Sequence, residues 1–397
     1  MADILDYIDW RGDLPLSVSP FNEVDNLLLA ELSFLDFNGL VPPPGLGDGV
    51  VLHEAAAAYF ARSTGREIDL GVLVPDRIPA LLCAMAKSVR FGGMRLNAFE
   101  ERVDAAREQQ FAALTVETGD GAVYAAFRGT DDTLVGWKED LNLGFLDEIP
   151  SQQEALRYLA RVARQYGGAR LRVGGHSKGG NLAVFAAVRS VAAVQDRIEC
   201  VYNNDGPGFL SALSGTVEYR RIAPRILTLV PQSSVVGMLL EHEQRYQVVR
   251  SCETGLRQHD GFSWEVKGTE FVRMEELSRE GKILDSILDS WTDSLASEQR
   301  EAMADALFAV LSGTGAQTLS ELNGEKLRSA VSMLKTYKNL DREARRVLSD
   351  ALKLLMKLGA QSVVDDVRRN ELASLHRKLE EKSRRLLGAR ERKTDGR

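Results

Sequence analysis

The segment LRVGGHSKGGNLAVFAA at 171–187 constrains the fold more than any other stretch of this chain. Three residues of strand character run into Gly174-Gly175. His176-Ser177-Lys178 follow, then Gly179-Gly180 and a run of small apolar residues with helical spacing. Glycine has no Cβ, so glycines on both sides of a three-residue turn let a strand end and a helix start approach closely. The expected local structure is strand, sharp bend, helix, with Ser177 at the bend.

The surrounding pattern extends that unit. Runs at 112–117 and 122–127 read as strands joined by a Gly119-Asp120-Gly121 turn. Residues 151–166 read as a helix, with Ser151 and Glu154 as a capping box and Gly167-Gly168 as its stop. Further strands are expected at 169–174, 199–203, 226–230 and 246–250, and a helix at 179–191. Strands alternating with helices predict a mostly parallel sheet flanked by helices, with functional groups at the carboxyl ends of its strands.

Before this core, 22–40 carries a leucine stripe, 41–50 reads as a Pro/Gly loop, and 53–62 and 76–92 read as helices. After about Lys267 the pattern is helical with no convincing strand. The expected organisation is an N-terminal mainly helical segment (1–100) packed on the core, an α/β core (101–266) and a helical C-terminal region (267–397).

Composition excludes several classes. A net charge of −7 argues against general nucleic-acid binding. No run of about 18 apolar residues is present to form a transmembrane segment. Three widely spaced cysteines fit neither a disulfide framework nor a zinc site, and point to a reducing, cytoplasmic setting. The N-terminus lacks a secretory pattern. No pair of the five histidines has metal-ligand spacing with a third ligand nearby, so neither a metal nor a cofactor is expected.

Gly175-His176-Ser177-Lys178-Gly179 is a G-x-S-x-G between strand and helix, the context a nucleophile elbow requires. Ser177 is the expected nucleophile, and the N–H of Lys178, at the helix start, an expected oxyanion donor. A base is expected after the last strands. His259 sits there in a polar loop, with His242 in reserve.

GHSKGGNLA and the block VYAAFRGTDDTLVGWKEDLNLGF at 123–145 resemble the corresponding motifs of class 3 lipases. NNDGPGF (203–209), VVGMLLEH (235–242) and HDGFSW (259–264) are similar to motifs of the DUF2974 family of bacterial lipase-like hydrolases. The resemblance spans roughly 20–310. It implies an α/β-hydrolase fold, ester hydrolysis through an acyl-enzyme, and Thr130, which closes FRGT, as the second oxyanion residue. Arg128 and Asp140 of that block are expected to form a structural ion pair.

The resemblance also implies an acid after the strand at 226–230, where this chain has Ser233. Asp205, one strand earlier, is the substitute, with Glu241 and Asp260 behind it. The apolar stretch 235–240 is expected either to line an acyl pocket or lid, or to form a buried helix. A carboxylic ester with an apolar acyl chain is the expected substrate. A thioesterase, an acyltransferase and a non-catalytic binding protein remain the alternatives. The tail at 368–397 carries eleven Lys and Arg against five Asp and Glu, and is expected either to be a solvated amphipathic helix or to touch an anionic membrane surface.

Overall fold

The computed structural model describes residues 1–350 and 353, apart from 65–67, 72–73, 211–212, 241–245, 325, 341, 343 and 347. The basic tail at 368–397, Glu241 and His242 lie outside the described residues.

Four helices open the chain: α1 (Ile4–Arg11), α2 (Glu23–Leu32), α3 (Leu52–Arg62) and α4 (Ile78–Lys87). Strands β1 (Val50–Val51), β2 (Arg95–Asp104), β3 (Gln109–Glu117) and β4 (Ala122–Phe127) lead into the core. Helices α5 (Leu134–Asn142) and α6 (Pro150–Gln165) precede β5 (Arg170–His176), which is followed by α7 (Lys178–Arg189) and α8 (Ala192–Gln195). Then come β6 (Ile198–Asn204), α9 (Val217–Ile222), β7 (Ile226–Pro231) and β8 (Gln247–Val249). Three two-residue strands follow: β9 (Val266–Lys267), β10 (Glu270–Phe271) and β11 (Arg273–Met274). Helices α10 (Arg279–Asp293), α11 (Ser297–Ser312), α12 (Leu319–Gly324) and α13 (Lys326–Asn339) come last.

Nine strands form one sheet in the order β1-β2-β3-β4-β5-β6-β7-β8-β11. β4 through β8 are parallel, while β1–β3 and β11 pair antiparallel with their neighbours. Each parallel strand lies directly beside its predecessor. Right-handed crossovers in that order place all their helices on one face, and α6, α7 and α9 pack together there. The other face is therefore left to the N-terminal helices. α2 lies across β4, β5 and β6, with α1 and α4 packed outside it. This sandwiched position explains why every residue from Val24 to Leu32 is buried, Asp25, Asn26 and Glu31 included. Asp25 is satisfied by a buried ion pair with Arg90 and by the Tyr7 hydroxyl at 2.9 Å.

Three local expectations are corrected, and one stretch without a reading of its own takes shape: the charged segment 95–104 is a strand, β2. A bulge between Asn97 and Glu100, with Ala98 at φ 52°, inserts an extra residue and breaks the alternation a strand normally shows. α6 starts one residue earlier, at Pro150, and the box does not form: Gln152 Oε1 accepts the Ile149 N–H (3.0 Å), and isoleucine has no side-chain oxygen to return the bond. Proline is suited to the first helical position, which frees Ser151 to bond elsewhere. Beyond residue 270, β10 and β11 are strands too short to leave a periodic signal. The stretch 235–240 holds one 3-10 turn (Val236–Met238), with Met238 packed against Val230, Val248 and Leu277, instead of a helix.

The C-terminal helices grip the segment after β4. Leu134 N donates to Gln317 O (2.9 Å), Leu319 N to Asp132 O (3.0 Å) and Ser320 N to the Asp132 carboxylate (3.0 Å). Lys138 on α5 pairs with Asp305 on α11. Among the described residues, no helix is long and apolar enough to cross a membrane. Cys83, Cys200 and Cys252 are free thiols.

Candidate active site

The elbow is built by backbone contact. A Cβ on Gly175 would fall 2.3 Å from the Gly179 carbonyl carbon and 2.5 Å from Phe127 O; one on Gly179 would fall 2.1 Å from Phe127 O. Strand and helix can cross this closely only through glycine. The crossing forces Ser177 to φ 58°, ψ −135°, an unusual conformation for a residue with a side chain. Ser177 is the N-cap of α7 and Lys178 its first residue, so the unpaired N–H groups of the first turn sit beside the hydroxyl.

Asp205 follows β6, the strand hydrogen-bonded to β5, and Ser177 N donates to Asn204 O at 2.9 Å. The Asp205 side chain is fully buried, and its backbone is left-handed at φ 52°. Its Oδ2 lies 2.7 Å from His259 Nδ1, and its Oδ1 accepts a hydrogen bond from Ser234 Oγ. His259 ends a 3-10 turn (Gly255–His259) beyond β8 and is about a quarter exposed. Its main-chain oxygen meets His176 Nε2 at 2.7 Å, and the two imidazoles stack at 4.5 Å between centroids. Asp205 and His259 are thus paired at the carboxyl end of β6, and Ser177 stands at the carboxyl end of the neighbouring β5.

Ser233 takes no part in this pairing. Its N–H donates to Gln258 Oε1 (2.9 Å), and its hydroxyl bonds Ser278 Oγ. The neighbour Ser234 is the serine that attends the carboxylate. Asp260 caps the next turn through Phe262 N (2.9 Å), and burial raises its pKa. His53 bonds Gly92 O (3.0 Å) in a packing role remote in sequence from these loops.

Thr130 lies just after β4, where a Cβ on Gly129 would come within 3.0 Å of Ser177 Cβ. Its hydroxyl donates to the carboxylate of Asp140 on α5, at 2.6–2.7 Å. Burial pushes the Asp140 carboxyl up to about 6, although Lys178 and the Thr130 hydrogen bond act the other way. The expected Arg128–Asp140 ion pair does not form. Arg128 turns back to Ser33 O (2.6 Å) and Leu35 O (3.3 Å) and pairs with Glu101, which ties β4 to the turn after α2.

The Lys178 ammonium has a separate, structural use. It is buried and bonds Glu139 (2.8 Å) and both oxygens of Gln110 (2.7 and 3.0 Å). Glu139 also receives Gln110 N (3.0 Å), Ser151 N (2.9 Å) and Ser151 Oγ (2.8 Å). This network joins α5, α6 and α7 behind the elbow. Local pattern did not reveal Glu139, Ser234 or Gln258, because each reaches its partner across a large sequence separation.

The Mbeg1-like family model matches residues 85–309, more than half of the chain. The chain belongs to the Mbeg1-like family. Its fold is that of a class 3 lipase-like α/β-hydrolase, with a helical C-terminal region. No curated protein matches it. Among solved structures, this Mbeg1-like chain is similar to the Rhizomucor miehei lipase–propeptide complex, at 14% identity and a TM-score of 0.30, covering 39% of this chain and 57% of that one. It therefore spans less than two thirds of that lipase chain. Similarity extends to nonglycosylated LIP2 lipase from Yarrowia lipolytica (13%, TM-score 0.37, covering 62% and 93%) and to a mutant form of MDLA from Penicillium cyclopium (13%, TM-score 0.36, covering 64% and 86%).

Proposed function

We propose that this chain is a serine hydrolase that cleaves carboxylic esters with an apolar acyl chain through an acyl-enzyme. The observation that carries the reading is the buried Asp205 carboxylate held 2.7 Å from His259 Nδ1, one strand away from a serine on a strained elbow. With Nδ1 engaged by Asp205, the ring presents Nε2 as the proton acceptor.

Ser177 Oγ attacks the ester carbonyl as His259 takes its proton. The main-chain N–H groups of Lys178 and Thr130 hold the oxygen on which negative charge develops, the Thr130 hydroxyl being engaged by Asp140. Collapse breaks the C–O bond, and His259 returns the proton to the leaving alcohol. Water, deprotonated by His259, then releases the acid from Ser177. Asp205 keeps the imidazole in the required tautomer and stabilises its charged form. The free thiols of Cys83, Cys200 and Cys252 support a reducing, cytoplasmic setting.

The test is a fluorophosphonate probe followed by peptide mapping, with a chain-length series of p-nitrophenyl esters in parallel. Labelling should fall on Ser177 and vanish in Ser177→Ala and His259→Ala. A folded wild-type protein that takes up no probe at Ser177 would overturn the reading.

A further inference from the structure

Glu31 sits on α2, on the sheet face opposite the crossover helices. Its side chain is fully buried, and neither carboxyl oxygen has a hydrogen-bond partner. An ionised carboxylate so placed is strongly disfavoured. Burial, with the nearby charge of Asp260, raises its pKa well above the ordinary carboxylic value, which favours the protonated form. Asp260, His176 and Tyr124 are titratable groups that face it.

His176 Nδ1 lies 3.5 Å from Glu31 Oε1, at the outer limit of hydrogen-bond distance. On the other side of the ring, Nε2 lies 2.7 Å from the His259 carbonyl oxygen. A carbonyl can only accept, so this pairing holds only while Nε2 bears the hydrogen, and it leaves Nδ1 as a buried acceptor in need of a donor. Burial holds this imidazole neutral, with its pKa lowered to about 3. A neutral carboxyl is the donor Nδ1 requires. The loop carrying His259 can rest against Glu31 because residue 261 is glycine. A Cβ there would fall 2.9 Å from Leu27 Cδ2 and 3.3 Å from Glu31 Oε1.

We propose that Glu31 is a positioning residue for the base: its carboxyl fixes His176 as the Nε2–H tautomer, and His176 in turn holds the His259 main chain so that the imidazole faces Ser177. The proposal rests on the hydrolase reading for its catalytic consequence, but not for the tautomer it assigns. It extends the working site to a helix outside the 85–309 family match.

Two variants test it. Glu31→Gln keeps a donor for Nδ1, whereas Glu31→Leu keeps similar volume and removes the donor. Protein labelled with ¹⁵N-histidine reports the tautomer of His176 by NMR, and fluorophosphonate reports the reactivity of Ser177. Wild type and Glu31→Gln should both show the Nε2–H form and label at rates within about threefold of each other. Glu31→Leu should lose the single tautomer and label on the order of 10- to 100-fold more slowly, the scale of a small misplacement of a reacting group. The loss should lie in the maximal labelling rate and leave probe affinity unchanged, a split that general loosening of the fold would not produce. An unchanged tautomer in Glu31→Leu overturns the proposal whether or not the wild type reacts. An altered tautomer with undiminished labelling overturns its catalytic half. A wild type that does not label overturns the hydrolase reading instead, and the tautomer comparison still decides the Glu31–His176 contact.

Discussion

Replacing Asp205 by asparagine isolates the charge of the proposed acid with little disturbance of the chain. Asp205 occupies φ 52°, a region asparagine tolerates almost uniquely among residues with side chains, so backbone strain is not introduced. The consequence follows from the two partners of the carboxylate. Ser234 Oγ already accepts the Gly237 N–H at 2.9 Å and donates its proton to Asp205 Oδ1. That proton needs an acceptor in a fully buried place, so the new amide must turn its oxygen toward Ser234. Its NH2 then faces His259 Nδ1, and the ring must move its hydrogen to Nε2, the nitrogen that has to accept from Ser177. Loss of the acid in a triad lowers turnover by up to about 10⁴, or about 5.5 kcal/mol in the barrier. The assay is p-nitrophenyl ester turnover backed by the second-order rate of fluorophosphonate labelling, with urea midpoints to establish folding. A folded Asp205→Asn protein within about tenfold of wild type would refute the assignment and the hydrogen-bond argument behind it.

Four further outcomes follow from the contacts described. Lys178→Met leaves Glu139 charged and buried without its cation and should cost about 3–5 kcal/mol in urea unfolding, with part of the loss recovered in Lys178→Met/Glu139→Gln; strictly additive losses would contradict the pairing. Asp140 is raised from 3.8 to about 6 in the fold, so the native state favours its protonated form. Its contribution to stability is complete below pH 3.8 and is lost as pH rises to 6, by about 3 kcal/mol at most, at about 1.4 kcal/mol per pH unit. Asp140→Asn should therefore raise the urea midpoint at pH 8 but not at pH 3.5, and should remove an inflection near pH 6 from the labelling rate of Ser177. Gly179→Ala places a methyl 2.1 Å from a main-chain oxygen and should cost at least about 3 kcal/mol or prevent folding. Gly215→Ala, with nothing within 4 Å, should stay within about 0.5 kcal/mol of wild type by calorimetry.

The parts of this structure that could be read from sequence are those with short-range causes. β3, β4, β6 and β7 are short apolar runs closed by turn residues, and the elbow announces itself through glycines that flank a serine. The parts that could not be read depend on distant neighbours. β2 hides because the bulge at Ala98 shifts its alternation by one residue and its far half is charged and exposed. Asp205 and Ser233 both follow strands and look equally placed along the chain; only the fold shows which side chain meets the histidine, since Ser233 reaches the neighbouring Gln258 through its N–H but turns its hydroxyl to Ser278. The leucines of α2 predicted one apolar stripe. The helix is buried all round because single-sided crossovers leave it an entire sheet face to cover. α1 does carry a local signal, a capping box of Asp3 and Asp6 at the start of a helix whose buried residues are Ile4, Tyr7 and Ile8.

The grip of residues 317–320 and α11 on the stretch that follows Thr130 means that the last third of the chain is not a detachable trailer. Shortening the protein at residue 296 would remove the main-chain partners of Leu134 and Asp132 at 317–320 and the Asp305 carboxylate that Lys138 meets. Those three stand immediately downstream of the threonine proposed to cradle the oxyanion. Trimming the appendage, or binding something to it, thus becomes a way to tune reactivity from a distance, and substitutions on α11 that never meet a substrate belong among the variants to be assayed for rate.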